Sequence, residues 1–190
     1  MTWHEMKTKP KTFNTGGNIN KGIVTARAAG CAIHMLVFDD WALLREIDIY
    51  PVVDVLDTYS EVGFVRLSFL VPGLGSLCMS YRCPRLANQN HIWLRLIRNW
   101  SLENPWKQAG YLVSTQPYIA HLRFFQAYGW HPENINPGRA ETELGTQYIR
   151  SPHGENGPQI LHHIGEEIVH APWGHMSGRE NDYREIAGAG

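Results

Sequence analysis

Residues 63–72, GFVRLSFLVP, set Phe64, Arg66, Ser68 and Leu70 against Val65, Leu67, Phe69 and Val71 in strict alternation. An extended chain sends successive side chains to opposite faces, so this run reads as a β-strand. GSLCMSYRC follows across Gly-Leu-Gly and reads as its antiparallel partner in a hairpin. Every other segment has to be arranged around that pair.

Short apolar runs and amphipathic segments alternate on both sides of it. IHMLVF, from Ile33, reads as a strand, and DDWALLREI as a helix that Asp39 or Asp40 could cap. DIYPVVDVLDTYS continues the helical pattern, with Pro51 as a break or kink because proline removes a helical hydrogen bond. HIWLRLIRNWSLEN groups Ile92, Trp93, Leu96, Ile97 and Trp100 on one helical face. GYLVST is a further strand, PYIAHLRFFQAYGW a helix stopped at Gly129, and TQYIRS a last strand after the loop HPENINPGRAETELG. This order predicts an α/β or α+β domain over residues 33–150, with a mixed, mostly antiparallel central sheet and helices on both faces. Residues 1–32 read as an N-terminal arm and residues 151–190 as a His-rich C-terminal extension, both suited to hold a protein partner or a second copy.

Composition bounds the function classes. Hydrophobic residues are 43% and charged residues 18% of 190, which is globular composition, and the formal charge of −1 supplies no field of one sign to draw nucleic acid. Cys31, Cys78 and Cys83 form no CxxC pair, which argues against a disulfide framework or a cysteine zinc site. The N-terminus lacks an apolar signal region, and the most apolar stretch is broken by Arg66 and Pro72, so the expected location is soluble and cytoplasmic.

The order of segments over residues 64–150 resembles the fold of the GCN5-related N-acetyltransferases (GNAT). The matching positions are Arg85-Leu86-Ala87-Asn88-Gln89-Asn90, for a pyrophosphate loop, and Phe125-Gln126-Ala127-Tyr128-Gly129-Trp130, for the end of the last helix. The resemblance implies an acetyl-coenzyme A site in which backbone N–H groups of Ala87, Asn88, Gln89 and Asn90 hold the pyrophosphate at a helix N-terminus, with Arg82, Arg85 and Arg95 as cationic contacts. It implies acyl transfer to an amine. Both loop glycines of the family are asparagine here, and Phe125 stands where a tyrosine would protonate the leaving thiolate. Tyr128, or Tyr118 in another register, is the substitute acid; His121 on the last helix and Glu61 before the hairpin are the other candidates for proton transfer. These departures support a second expectation, a non-catalytic binding or assembly module on the same scaffold, similar to small phage-encoded acyltransferase-like proteins.

The segment ILHHIGEEIVHAPWGH adds a third. On a helix, His163, Glu166 or Glu167, and His170 would share one face at a spacing that can place ligands around zinc. An amphipathic helix that docks through Ile160, Ile164 and Ile168 is the plainer reading of the same pattern, with no metal expected.

Overall fold

The computed structural model of the chain describes residues 14–38, 41–43, 46–67, 80–82, 92–96, 112–113, 117–153, 156–164 and 173–175. It is an α+β structure with a mixed sheet covered by helices on both faces.

The first helix, α1 (Thr15–Ala28), lies in the stretch expected to be an arm. Asn14 caps it by accepting the Gly17 N–H at 3.1 Å. At the other end Gly30, at φ +83°, directs its own N–H to Arg27 and the Cys31 N–H back to Ala26, which satisfies two orphan carbonyls. Ile19 and Ile23 are one turn apart and both buried, so α1 belongs to the core. The two glycines that made this region look unstructured permit close packing. A Cβ on Gly16 would sit 2.0 Å from the carbonyl oxygen of Pro132. Gly16→Ala is therefore expected to cost about 1–3 kcal/mol, read as a lower urea midpoint, because two backbones would have to separate.

Next come β1 (Ile33–Leu36), β2 (Trp41–Leu43) and α2 (Tyr50–Thr58). The helix expected across residues 39–47 is a strand at Trp41–Leu43. Pro51 begins α2 rather than kinking it, since the first turn has no N–H bond to lose. The strand β3 (Val62–Arg66) is buried throughout, as befits a nearly continuous apolar run inside a sheet covered on both faces. Its expected hairpin partner, β4 (Ser80–Arg82), is elsewhere: β4 pairs with β5 (Ile92–Leu96), itself a strand where the pattern predicted a helix. Leu94 and Leu96 are carried by a ladder that pairs Arg95 with Tyr81 and with Leu161, so the sheet overrides the helical periodicity.

Residues 118–128 divide in two. Tyr118–His121 form β6, and Leu122–Tyr128 form α3, which ends at Gly129 with φ +99°. The segment 137–150, expected as loop and strand, is the helix α4 (Pro137–Arg150). Asn136 accepts the Arg139 N–H at 2.8 Å and Pro137 fills the first turn, a start signal present in the sequence. Ala140, Leu144, Tyr148 and Ile149 bury its inner face.

The strand β7 (Gln159–Ile164) runs inside the sheet, whose order is β1-β6-β3-β7-β5-β4. It is parallel to β3 and antiparallel to β5. The boundary expected after Arg150 is thus corrected: a strand from the supposed extension is central to the sheet. A short strand β8 (Trp173–His175) pairs with β2 as a separate ribbon.

On one face of the sheet Phe64, Tyr118, Ala120 and Ile160 pack against α1, α3 and α4. On the other, Val65, Ile119 and Leu161 pack under Val52, Val55 and Leu56 of α2. No helix among the described residues is long and apolar enough to cross a membrane.

Candidate functional site

Polar chemistry concentrates where β1, β6 and the chain after α3 meet. Tyr118 on β6 is completely buried, and its Oη lies 3.0 Å from His131 Nε2. His34 stands on β1 opposite Ala120, on the same face, and its ring meets Tyr118 edge-on at 6.1 Å and Phe125 at 5.4 Å. Phe125 also touches His131 at 5.3 Å and stacks on Trp130 at 6.2 Å. Two imidazoles and a phenol therefore share one aromatic enclosure.

The loop that delivers His131 is tied to α1 from both sides. Asn20 Nδ2 donates to the His131 carbonyl at 2.9 Å and to Glu133 at 2.9 Å, and the His131 N–H donates to Asn20 Oδ1 at 3.1 Å. Asn134, at φ 59°, donates to Asn14 Oδ1. Asparagine is among the residues that tolerate this conformation best, so the turn is compatible with its sequence.

Burial sets the protonation states. His34 and His131 are each lowered from 6.5 to about 4, first by desolvation and then by a neighbouring histidine, His121 for His34 and His34 for His131. Tyr118 is pushed above its ordinary value by desolvation. Near neutral pH the enclosure thus holds a protonated phenol between uncharged imidazoles. With the His131 ring proton on Nδ1, Tyr118 donates to Nε2. His34 Nε2 is buried without a hydrogen-bond partner among the described residues. Such a group can store a proton between Tyr118 and His131 but does not present it to a substrate from water.

The residues singled out for catalysis are not brought together here. His121 sits at the end of β6 and caps α3, its Nδ1 accepting the Arg123 N–H at 3.0 Å. Its pKa is lowered by burial and by Arg123, against the opposing effect of Asp57. Glu61 is exposed on the turn before β3, and its carbonyl accepts the Gln159 N–H at 2.7 Å. His121 and Glu61 both neighbour Arg123, whose Nε donates to the Val62 carbonyl at 3.0 Å and whose Nη2 donates to that of Leu56. Tyr128 is far along α3, about 10 Å further at 1.5 Å per residue. It is buried against Phe124 and Tyr148, its Oη beside Gly157. Phe125 is equally buried, a wall of the enclosure rather than a position facing an open cleft.

Of the cofactor-binding candidates, Arg82 lies on β4 and Arg95 on β5, while Arg85, Ala87, Asn88, Gln89 and Asn90 lie outside the described residues. The helix whose N-terminus they were to form is replaced, at residues 92–96, by β5. His163 is on β7, so the helical spacing proposed for His163, Glu167 and His170 does not apply to it; Glu167 and His170 lie outside the described residues. Among the described residues no three His, Cys, Asp or Glu side chains converge where they could hold a metal ion.

His34 and His131 were not selected from the sequence. His34 sits in an apolar strand pattern and His131 follows a glycine stop, so neither carries a local motif. Their proximity is created by the β1–β6 pairing. Comparison with protein-family models, with curated proteins and with solved structures finds no match to this chain.

Proposed function

We propose that this chain is a non-catalytic binding and assembly module, not an acyltransferase. One observation carries the reading: of the four residues singled out for proton transfer, His121, Tyr128 and Tyr118 are committed to structure. His121 caps a helix, Tyr128 packs beneath Tyr148, and the buried Tyr118 is hydrogen-bonded to the buried His131. A catalytic acid or base has to reach its substrate within hydrogen-bond distance, directly or through one water. Glu61 is the exposed exception among them, on the turn before β3 near Arg123, whose side chain donates to the carbonyls of Val62 and Leu56.

The GNAT-like scaffold was inferred from the order of segments over residues 64–150, and within it residues 92–96, expected as helix, form a strand paired with residues 80–82. Titration calorimetry with acetyl-coenzyme A and with coenzyme A at millimolar concentration is the direct experiment. No heat of binding is the expected result; saturable binding together with acetyl transfer to an amine would overturn the module reading.

A further inference from the structure

We infer that the outer edge of β1 is a self-association surface, on which β1 of a second copy of this chain adds as an antiparallel strand across a two-fold axis. The inference rests on the module reading and names its partner.

Two hydrogen bonds establish which peptide groups face outward. The Leu122 N–H donates to the Ala32 carbonyl at 2.8 Å, in line with the register that pairs His34 with Ala120 and Leu36 with Tyr118. On the far side of β6, the Leu67 N–H donates to the Pro117 carbonyl at 2.9 Å, in line with Val65 opposite Ile119. In an antiparallel ladder alternate residues exchange hydrogen bonds with one neighbour and the rest face the other way. The peptide groups of Ala32, His34 and Leu36 are thus directed to β6, and those of Ile33, Met35 and, continuing the alternation, Val37 are directed away from the sheet. No described strand pairs with them.

Edge strands that stay single are commonly short, charged, bulged or interrupted by proline. The opposite edge, β4, carries Arg82. The β1 edge is short, at four residues, but has neither charge nor proline nor a register shift. Residues 31–38, CAIHMLVF, contain no Lys, Arg, Asp, Glu or Pro. Met35 and Val37 are each 39% exposed on the face shared with Ile33, and Tyr50 at the start of α2, which packs on β1, is 80% exposed.

A second copy fits this edge better than an arbitrary peptide. Specificity in strand addition ordinarily comes from pockets for alternate side chains, whereas here the outward side chains are similar apolar groups. A two-fold axis through Met35 lets each Met35 exchange both hydrogen bonds with its counterpart and sets Ile33 against Val37 of the second copy. Every donor then meets an acceptor in an isologous contact. With a formal charge of −1 the copies repel one another weakly. A pairing of so few residues buries less than the about 1,200 Å² of a stable complex, so the association is weak and concentration-dependent.

The test combines sedimentation with amide hydrogen exchange on the full chain, from the low-micromolar range to the highest soluble concentration. The expected result is a rise toward twice the monomer mass, with exchange at Ile33 and Met35 slowing by at least about fivefold while His34 and Leu36 stay protected throughout. Met35→Lys, which places like charges opposite each other at the axis, should abolish both changes and leave circular dichroism and thermal midpoint unaltered. A dimer whose Ile33 and Met35 amides do not slow, or that survives Met35→Lys, overturns the surface and leaves the module reading standing. A monomer at every concentration overturns it too, whether those amides exchange fast or are already protected by another part of the chain. Acetyl-coenzyme A turnover, measured separately, would remove the module reading without altering the exchange pattern.

Discussion

Between pH 7 and pH 4.5 the chain is expected to lose folding stability on the order of 5 kcal/mol, shared between His34 and His131. Both rings are uncharged in the fold because burial lowers them from 6.5 to about 4. In the unfolded chain they take up protons as pH falls through about 6.5. Below that value the unfolded state binds more protons than the native state, so stability falls with pH until the native rings also titrate near pH 4. A loss of this size is a large share of the 5–15 kcal/mol typical of a domain, roughly, and should bring unfolding within the mildly acidic range. His121 contributes in the same direction, its pKa being lowered too, but it is more exposed and its effect is smaller. Urea midpoints at half-unit intervals of pH measure the slope. His34→Phe together with His131→Gln should flatten it over pH 6.5–4 even where the variant is less stable at pH 7. An unchanged slope in that variant would show that other groups govern acid unfolding.

Phe64→Ala is expected to cost about 3–5 kcal/mol at neutral pH. Phe64 is fully buried at the middle of the sheet, opposite Ala120 on one neighbour and Ile160 on the other. Its ring lies 4.3 Å from that of Tyr118 and 5.1 Å from that of Phe124. Ala120 and Ile160 beside it cannot close the gap by moving, because their strands are held by ladder hydrogen bonds, so truncation leaves a cavity as well as lost transfer energy. Tyr50→Ala, at a residue 80% exposed, should change stability by less than about 0.5 kcal/mol and serves as the control. Equal effects of the two substitutions in denaturant unfolding would contradict the placement of β3 at the centre.

The elements legible in the sequence were those whose pattern is enforced locally. IHMLVF became β1, the alternation after Gly63 became β3, and YPVVDVLDT became α2. Elsewhere the period was ambiguous. Ile92, Trp93, Leu96, Ile97 and Trp100 satisfy a helical face, yet residues 92–96 are drawn into a ladder with β4 and β7. A helical stripe in a short apolar run is equally consistent with a strand covered on both sides. Residues 118–128 show the same competition: the helical pattern holds only after His121, whose ring supplies the cap that starts α3. At α4 the signal is local, since Asn136-Pro137 is a helix start followed by apolar residues at helical spacing.

The candidate site was less legible still. His34 and His131 are 97 residues apart, and nothing at either position marks chemistry. In the sequence Tyr118 stands only near the place of a family tyrosine, whereas the fold gives it a buried imidazole partner.

By itself the sequence determined that a mixed α+β structure would form around a strand near Phe64, that the helical pattern would be interrupted at Pro51, and that α3 would end at Gly129. Each of these depends on side-chain alternation, a missing N–H or a permitted positive φ, which are properties of a few neighbouring residues. The tertiary structure decided which strands are neighbours, and with that the placement of β7 from the supposed tail between β3 and β5. It also decided that two unremarkable histidines would share an enclosure with a buried tyrosine. Strand order and burial depend on contacts between distant parts of the chain, where apolar surface removed from water outweighs local preference.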